Sequence, residues 1–98
     1  MNPKQFESRY KAIIEHCKMM QDECELLWVR QAIPEQYIRP IECLIRERNK
    51  ERALKVLIKI TDNALLDSKH HPVDSKLRSN LVYLASYCAS TANWLINS

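Results

Sequence analysis

FESRYKAIIEHCKMMQDECELL, residues 6–27, spaces Phe6, Tyr10, Ile13, Cys17, Met20, Cys24 and Leu27 in alternating steps of four and three. That is a heptad seam, the pattern of a helix with one continuous apolar stripe. Ile14, Trp28 and Val29 widen the stripe, so the spacing predicts a long helix running to about Gln31. Just upstream, Asn2 suits an N-cap and Pro3 the first helical position.

Downstream, Pro34 ends this helix or opens the next, and Pro40 repeats the punctuation. PEQYIR (34–39) between them is expected to form at most a short helical turn. Another helix is expected from Pro40, with Ile41, Leu44 and Ile45 on its inner side. RERNKER (46–52) has no apolar residue, so either the helix stays exposed there or Asn49 caps a fresh one. Ala53, Leu54, Val56, Leu57, Ile58, Ile60, Ala64 and Leu65 then form a broad apolar face for a well-buried helix. DSKHHPVDS (67–75) is polar, contains Pro72 and reads as a loop, with Asp74 as N-cap of the last helix. In that helix Leu77, Leu81, Leu84, Cys88, Thr91 and Leu95 restore the four–three spacing. Tyr83, Tyr87 and Trp94 mark its second face.

The expected architecture is all-α. It is a single domain over residues 1–98, a small bundle of three to four main helices, the first and last of them long. The seams of 6–27 and 77–95 should pack against the apolar face of 53–65. A chain of 98 residues has room for one core and no second.

Composition narrows the function. The chain has no glycine. A phosphate-cradling loop, a dinucleotide fingerprint and a strained nucleophile turn all use glycine, because they need positive φ or close backbone approach. No motif supports catalysis or a cofactor, and neither is expected. Four cysteines are present. Cys17 and Cys24 lie two turns apart on one helix, too far to bond. Cys43 and Cys88 sit among apolar neighbours, and Met1 to Tyr10 is polar rather than signal-like. Reduced thiols in a cytoplasmic protein are the expectation. His16, His70 and His71 add ligand types, yet no pair has zinc-site spacing, so no metal is expected.

Three stretches are candidate partner-binding surfaces. The first is basic. Residues 39–69 carry eight basic and five acidic side chains. Arg48, Arg52, Lys55 and Lys59 fall on one helical face, with Arg46 and Lys50 nearby. Such a stripe suits an acidic protein surface or phosphates. Interleaved Glu47 and Glu51 make a merely solvated face the alternative. A net charge of +3 and the lack of a DNA-binding motif argue against sequence-specific nucleic-acid recognition. The second is the last helix, in which residues 79–98 carry no charge. Asn80, Ser86, Ser90, Thr91, Asn93 and Asn97 make it too polar to span a bilayer readily. Tyr83, Tyr87 and Trp94 are therefore either core or partner contacts. The third is the loop at His71 and Pro72, either a simple helix breaker or a docking point for a host prolyl isomerase.

Taken whole, the chain resembles the small accessory recombination proteins of lambdoid temperate phages, in particular the anti-RecBCD class. The Asn2-Pro3-Lys4-Gln5 opening, the centre IPEQYIRPIECLIRERNKERALKVLIKI (33–60) and the lack of glycine carry the resemblance. It implies a non-enzymatic modulator in the host cytoplasm. Such a protein binds the RecC side of the host RecBCD complex and alters its handling of DNA ends, favouring phage recombination. No residue role is carried over from it. The alternative is a bacterial helical adaptor or immunity-type bundle with an unrelated protein or membrane target.

Overall fold

The structure, a computed structural model, describes residues 3–97. They form α1 (Pro3–Glu23), α2 (Leu27–Ile33), α3 (Arg39–Glu47), α4 (Lys50–Ser68) and α5 (Lys76–Ile96). A π-helical turn, Pro34–Ile38, joins α2 to α3. No strand occurs among the described residues, and the all-α expectation holds. The expected Asn2 cap lies outside the described residues.

The heptad seam of α1 is realised from Phe6 to Cys24, all six of its apolar residues being buried. The helix stops at Glu23, however, well short of Gln31. Cys24, Glu25 and Leu26 form a link, and α2 departs from it in a new direction. Neither glycine nor proline marks this break. Its exposed backbone is satisfied from ahead: the Arg30 guanidinium donates to the Cys24 carbonyl at 2.6 Å, and the Cys24 thiol to the Leu26 carbonyl. The change of direction turns Val29 and Ile33 inward and puts Leu27 and Trp28 outside. The expected inward role of those two residues is thus corrected.

As expected, Pro34 ends α2 and opens a short helical turn, and Pro40 stands in the first turn of α3, but the backbone stays helical through both. Pro34 has no N–H to give the Arg30 carbonyl, and the Gln21 side-chain amide supplies one instead, at 3.3 Å. The register then slips by one residue, the Arg39 N–H bonding the Pro34 carbonyl. Residues 27–47 consequently form one helical run in which Tyr37 and Ile38 are core residues. The Tyr37 hydroxyl donates to Asp67 Oδ2, tying the π turn to the end of α4.

Residues 40–68 are two helices. Arg48 takes the left-handed conformation, φ 52°, and its N–H closes α3 on the Leu44 carbonyl at 3.0 Å. Glycine usually fills that position; a chain without glycine uses arginine. Asn49 then caps α4, its side chain accepting from the Arg52 N–H at 3.2 Å. At the far end α4 runs to Ser68, so the loop is shorter than 67–75. The N-cap of α5 is Ser75, which accepts from the Arg78 N–H at 3.1 Å; the expected Asp74 is an exposed turn residue.

A short link folds α4 and α5 into a helical hairpin, the most extensive helix pairing in the fold. Ala53, Leu57, Ile60 and Ala64 of α4 meet Leu81, Leu84, Cys88 and Leu95 of α5 within the core. Ile58 and Leu65, expected on the buried face of α4, are exposed. The packing order also differs from the expected one. Helix α1 lies mainly against α5, α3 and the 27–38 run, rather than along α4. One buried polar atom is orphaned among the described residues, the Tyr10 hydroxyl.

Candidate functional site

Three members of the expected basic stripe, Arg52, Lys55 and Lys59, lie at steps of three and four on α4 and are exposed, and the fourth, Arg48, precedes that helix. Arg48 caps α3 and is not part of α4, and it lies 3.9 Å from Glu7 of α1. Arg52 opens α4 but pairs with Glu47 across the α3–α4 junction at 3.0 Å. Both pairs are exposed and contribute little stability, yet they occupy the charges the stripe would present. Lys55 and Lys59 remain exposed on α4, one turn apart. Arg46 belongs to α3, where its guanidinium contacts Cys43 Sγ at 3.3 Å, and it lines a groove to which Lys55 and Lys59 do not contribute.

The aromatic face of α5 is half-sheltered by α1. The Tyr83 ring lies 4.7 Å from the His16 ring, and His16 Nε2 hydrogen-bonds the Asn80 carbonyl at 3.2 Å. Trp94 lies beneath the Arg9 guanidinium, 4.8 Å from the ring centroid, in a cation–π contact. Tyr87 stacks loosely on Tyr83. Tyr87 and Trp94 pack partly on the core, while Tyr83 is 55% exposed. None of the three is a fully buried core residue.

The third region, around Pro72, is extended by residues that the sequence spacing had assigned to the core. The α1–α2 link and the 69–75 link meet at one end of the bundle. The Trp28 ring stacks over His71 at 6.4 Å. The Arg78 guanidinium donates to the His71 carbonyl at 3.2 Å, and Lys76 pairs with Glu23 at 3.3 Å, joining the two links from below. Between them lies a cavity of about 320 Å³, bounded by Met20, Cys24, Leu26, Pro72 and Leu77. Leu26 lines this cavity and is exposed; Leu27 and Trp28 (64% exposed), which follow it in the chain, and Val73 (80% exposed), next to Pro72, are exposed without lining it. The peptide bond at Pro72 is trans.

One sequence signal identifies these residues. Leu26, Leu27, Trp28 and Val29 are consecutive, and four consecutive apolar residues point all round a helix rather than along one stripe. At most one or two of them fit the core, and the structure places only Val29 there.

Cys17, Cys24, Cys43 and Cys88 are free thiols; Cys43 is only half-buried, against expectation. Among the described residues, no group of three or more His, Cys, Asp or Glu side chains could hold a metal ion. No helix among them is long and apolar enough to cross a membrane. Comparison of the chain with protein-family models, with curated proteins and with solved structures finds no match.

Proposed function

We propose that the chain is a non-catalytic binding protein that docks on another protein through the Leu26–Trp28 and Pro72 end of the bundle. One observation carries this reading: Leu26, Leu27, Trp28 and Val73 are exposed on two links that meet at one end of the bundle, where Trp28 stacks on His71 and Leu26, His71 and Pro72 line one cavity. Keeping such side chains in water forgoes the stabilisation that burial would give, and contiguous exposed apolar surface of this kind marks interaction sites. Tryptophan is the side chain most often found at the energetic centre of an interface. His71 stacking on Trp28 and Arg78 holding the His71 carbonyl fix the two links relative to one another before any partner arrives. A pre-organised patch loses less entropy on binding.

The target that fits the resemblance to anti-RecBCD proteins is the RecC side of the host RecBCD complex. Exposed Pro72, on a link whose backbone is anchored just before it, supports a second contact with a host prolyl isomerase.

Immobilised RecBCD is expected to bind the purified chain, and the chain is expected to change the nuclease activity on linear duplex DNA. Trp28→Ala should weaken that binding about tenfold or more, while leaving the circular dichroism spectrum and melting temperature unchanged. Absence of both binding and nuclease change would remove RecBCD as the target. Capture of an unrelated bacterial protein by the same surface would support the adaptor reading in its place.

A further inference from the structure

Helices α1 and α3 lie side by side and leave between them an open groove of about 630 Å³. Its rim is built by spacing. Lys11 and Lys18 are seven residues apart on α1, and Arg39 and Arg46 are seven apart on α3. Seven residues are two helical turns, roughly 10 Å along each axis. The four cations therefore stand in two pairs, one pair on each wall of the groove. All four are exposed.

Glu42 is the one carboxylate lining the groove. The lining thus has a surplus of three positive charges, as large as the formal charge of the whole chain. Arg39 shares its charge with Glu35 at 2.8 Å. Neither Lys11 nor Lys18 enters an ion pair among the described residues. The floor is aliphatic: Ile14 is nearly buried, and Ile45 and Cys43 are half-buried.

We infer that this groove is a second binding surface, and that its occupant is an acidic amphipathic helical segment of a partner protein. Both halves of the lining argue for that chemistry. A helix laid in a groove contributes apolar anchors one turn apart, which the isoleucine floor accommodates. Carboxylates flanking those anchors at the same two-turn spacing meet the lysines and arginines on the rim. A nucleic acid offers the charge but not the aliphatic anchors, and the groove has no aromatic ring on which bases stack. None of the groove residues belongs to the Leu26–Trp28 and Pro72 surface, so the inference stands independently of the target proposed for that end.

The test is titration of the ¹⁵N-labelled full chain with three probes. The first is a 14-residue helical peptide carrying leucines along one stripe with glutamates beside them. The second is a polyglutamate of equal charge, and the third an oligothymidylate of similar length. The leucine–glutamate peptide should bind, with amide shifts concentrated in residues 11–18 and 39–46. Polyglutamate should bind about tenfold more weakly, since it lacks the apolar anchors. Lys18→Glu combined with Arg46→Glu should abolish peptide binding while leaving the amide spectrum elsewhere intact, and Trp28→Ala should leave peptide binding unchanged. The inference is overturned if the oligothymidylate binds as well as the peptide, if polyglutamate matches it, or if the shifts fall outside the groove. It is equally overturned if the peptide does not bind or if the double reversal has no effect.

Discussion

Two thiols at the centre of the bundle are held in their neutral form by burial. Cys17 and Cys88 are both pushed up to about 12 from an ordinary value near 9, because a thiolate there has almost no solvent. A thiolate on Cys17 further disfavours one on Cys88, so the two positions, on α1 and α5, sense each other. Tyr10 and Tyr37 are displaced upward too, again chiefly by burial, with Asp67 adding to the effect at Tyr37. For all four groups the folded chain holds its proton to higher pH than the unfolded chain does. The contribution of the two thiols to stability is therefore complete below about pH 9 and is lost as pH rises towards 12, whereas that of the two tyrosines is complete below about pH 10 and is lost only at still higher pH. In that window each thiol should remove about 1.4 kcal/mol per pH unit. Melting temperature followed by circular dichroism should be level from pH 7 to 8.5 and fall steeply above pH 9. Cys88→Ala should make the fall shallower. A melting temperature that stays constant to pH 11 would show that these thiols ionise freely in the folded chain.

At the scale of elements, the sequence was most legible where a periodic stripe also met a continuous core. The seams over Phe6–Cys24 and Leu81–Leu95 are buried in the register their spacing implies. Legibility failed where long-range contacts replaced local signals. Arg30 bonds the carbonyl of Cys24 at the break, and Gln21 bonds the Arg30 carbonyl that Pro34 leaves without an N–H, partners that no local rule associates with a chain break. Tyr37, in a segment that reads as a connection, is a core residue whose hydroxyl finds its acceptor on Asp67, thirty residues away. Caps were legible to within a residue: Asn49 fits the reading, and Ser75 takes the role expected of Asp74. The last difference is testable. Ser75→Ala removes the acceptor for the Arg78 N–H and should cost about 1 kcal/mol in chemical denaturation. Asp74→Ala, on an exposed turn, should change stability by less than about 0.5 kcal/mol. Equal losses at both positions would mean that the cap is shared between them.

For the whole molecule, the fold decides which charges remain available to a partner. A stripe read along one helix needed Arg48 and Arg52 free, but the α3–α4 junction ties Arg52 to Glu47 and sets Arg48 beside Glu7. The groove between α1 and α3 is formed by helices distant in sequence, so no single stretch of residues displays it. Lys55 and Lys59 are what is left of the stripe, on α4 and outside the cavity lined by Leu26 and Pro72. If the bundle end makes the lasting contact, these lysines act only through the long-range field. Charges at a rim mainly govern association and its salt dependence, whereas buried anchors govern dissociation. Reversing both lysines to glutamate should then slow association with the partner, or speed it where the facing surface is basic. The difference from the unaltered chain should shrink at high salt, while dissociation stays unchanged. Trp28→Ala should do the opposite, speeding dissociation at every ionic strength and scarcely altering association. Both variants keep the core intact, since each replaced side chain is exposed. A lysine reversal that accelerates dissociation would move the lasting contact to α4 and away from the bundle end.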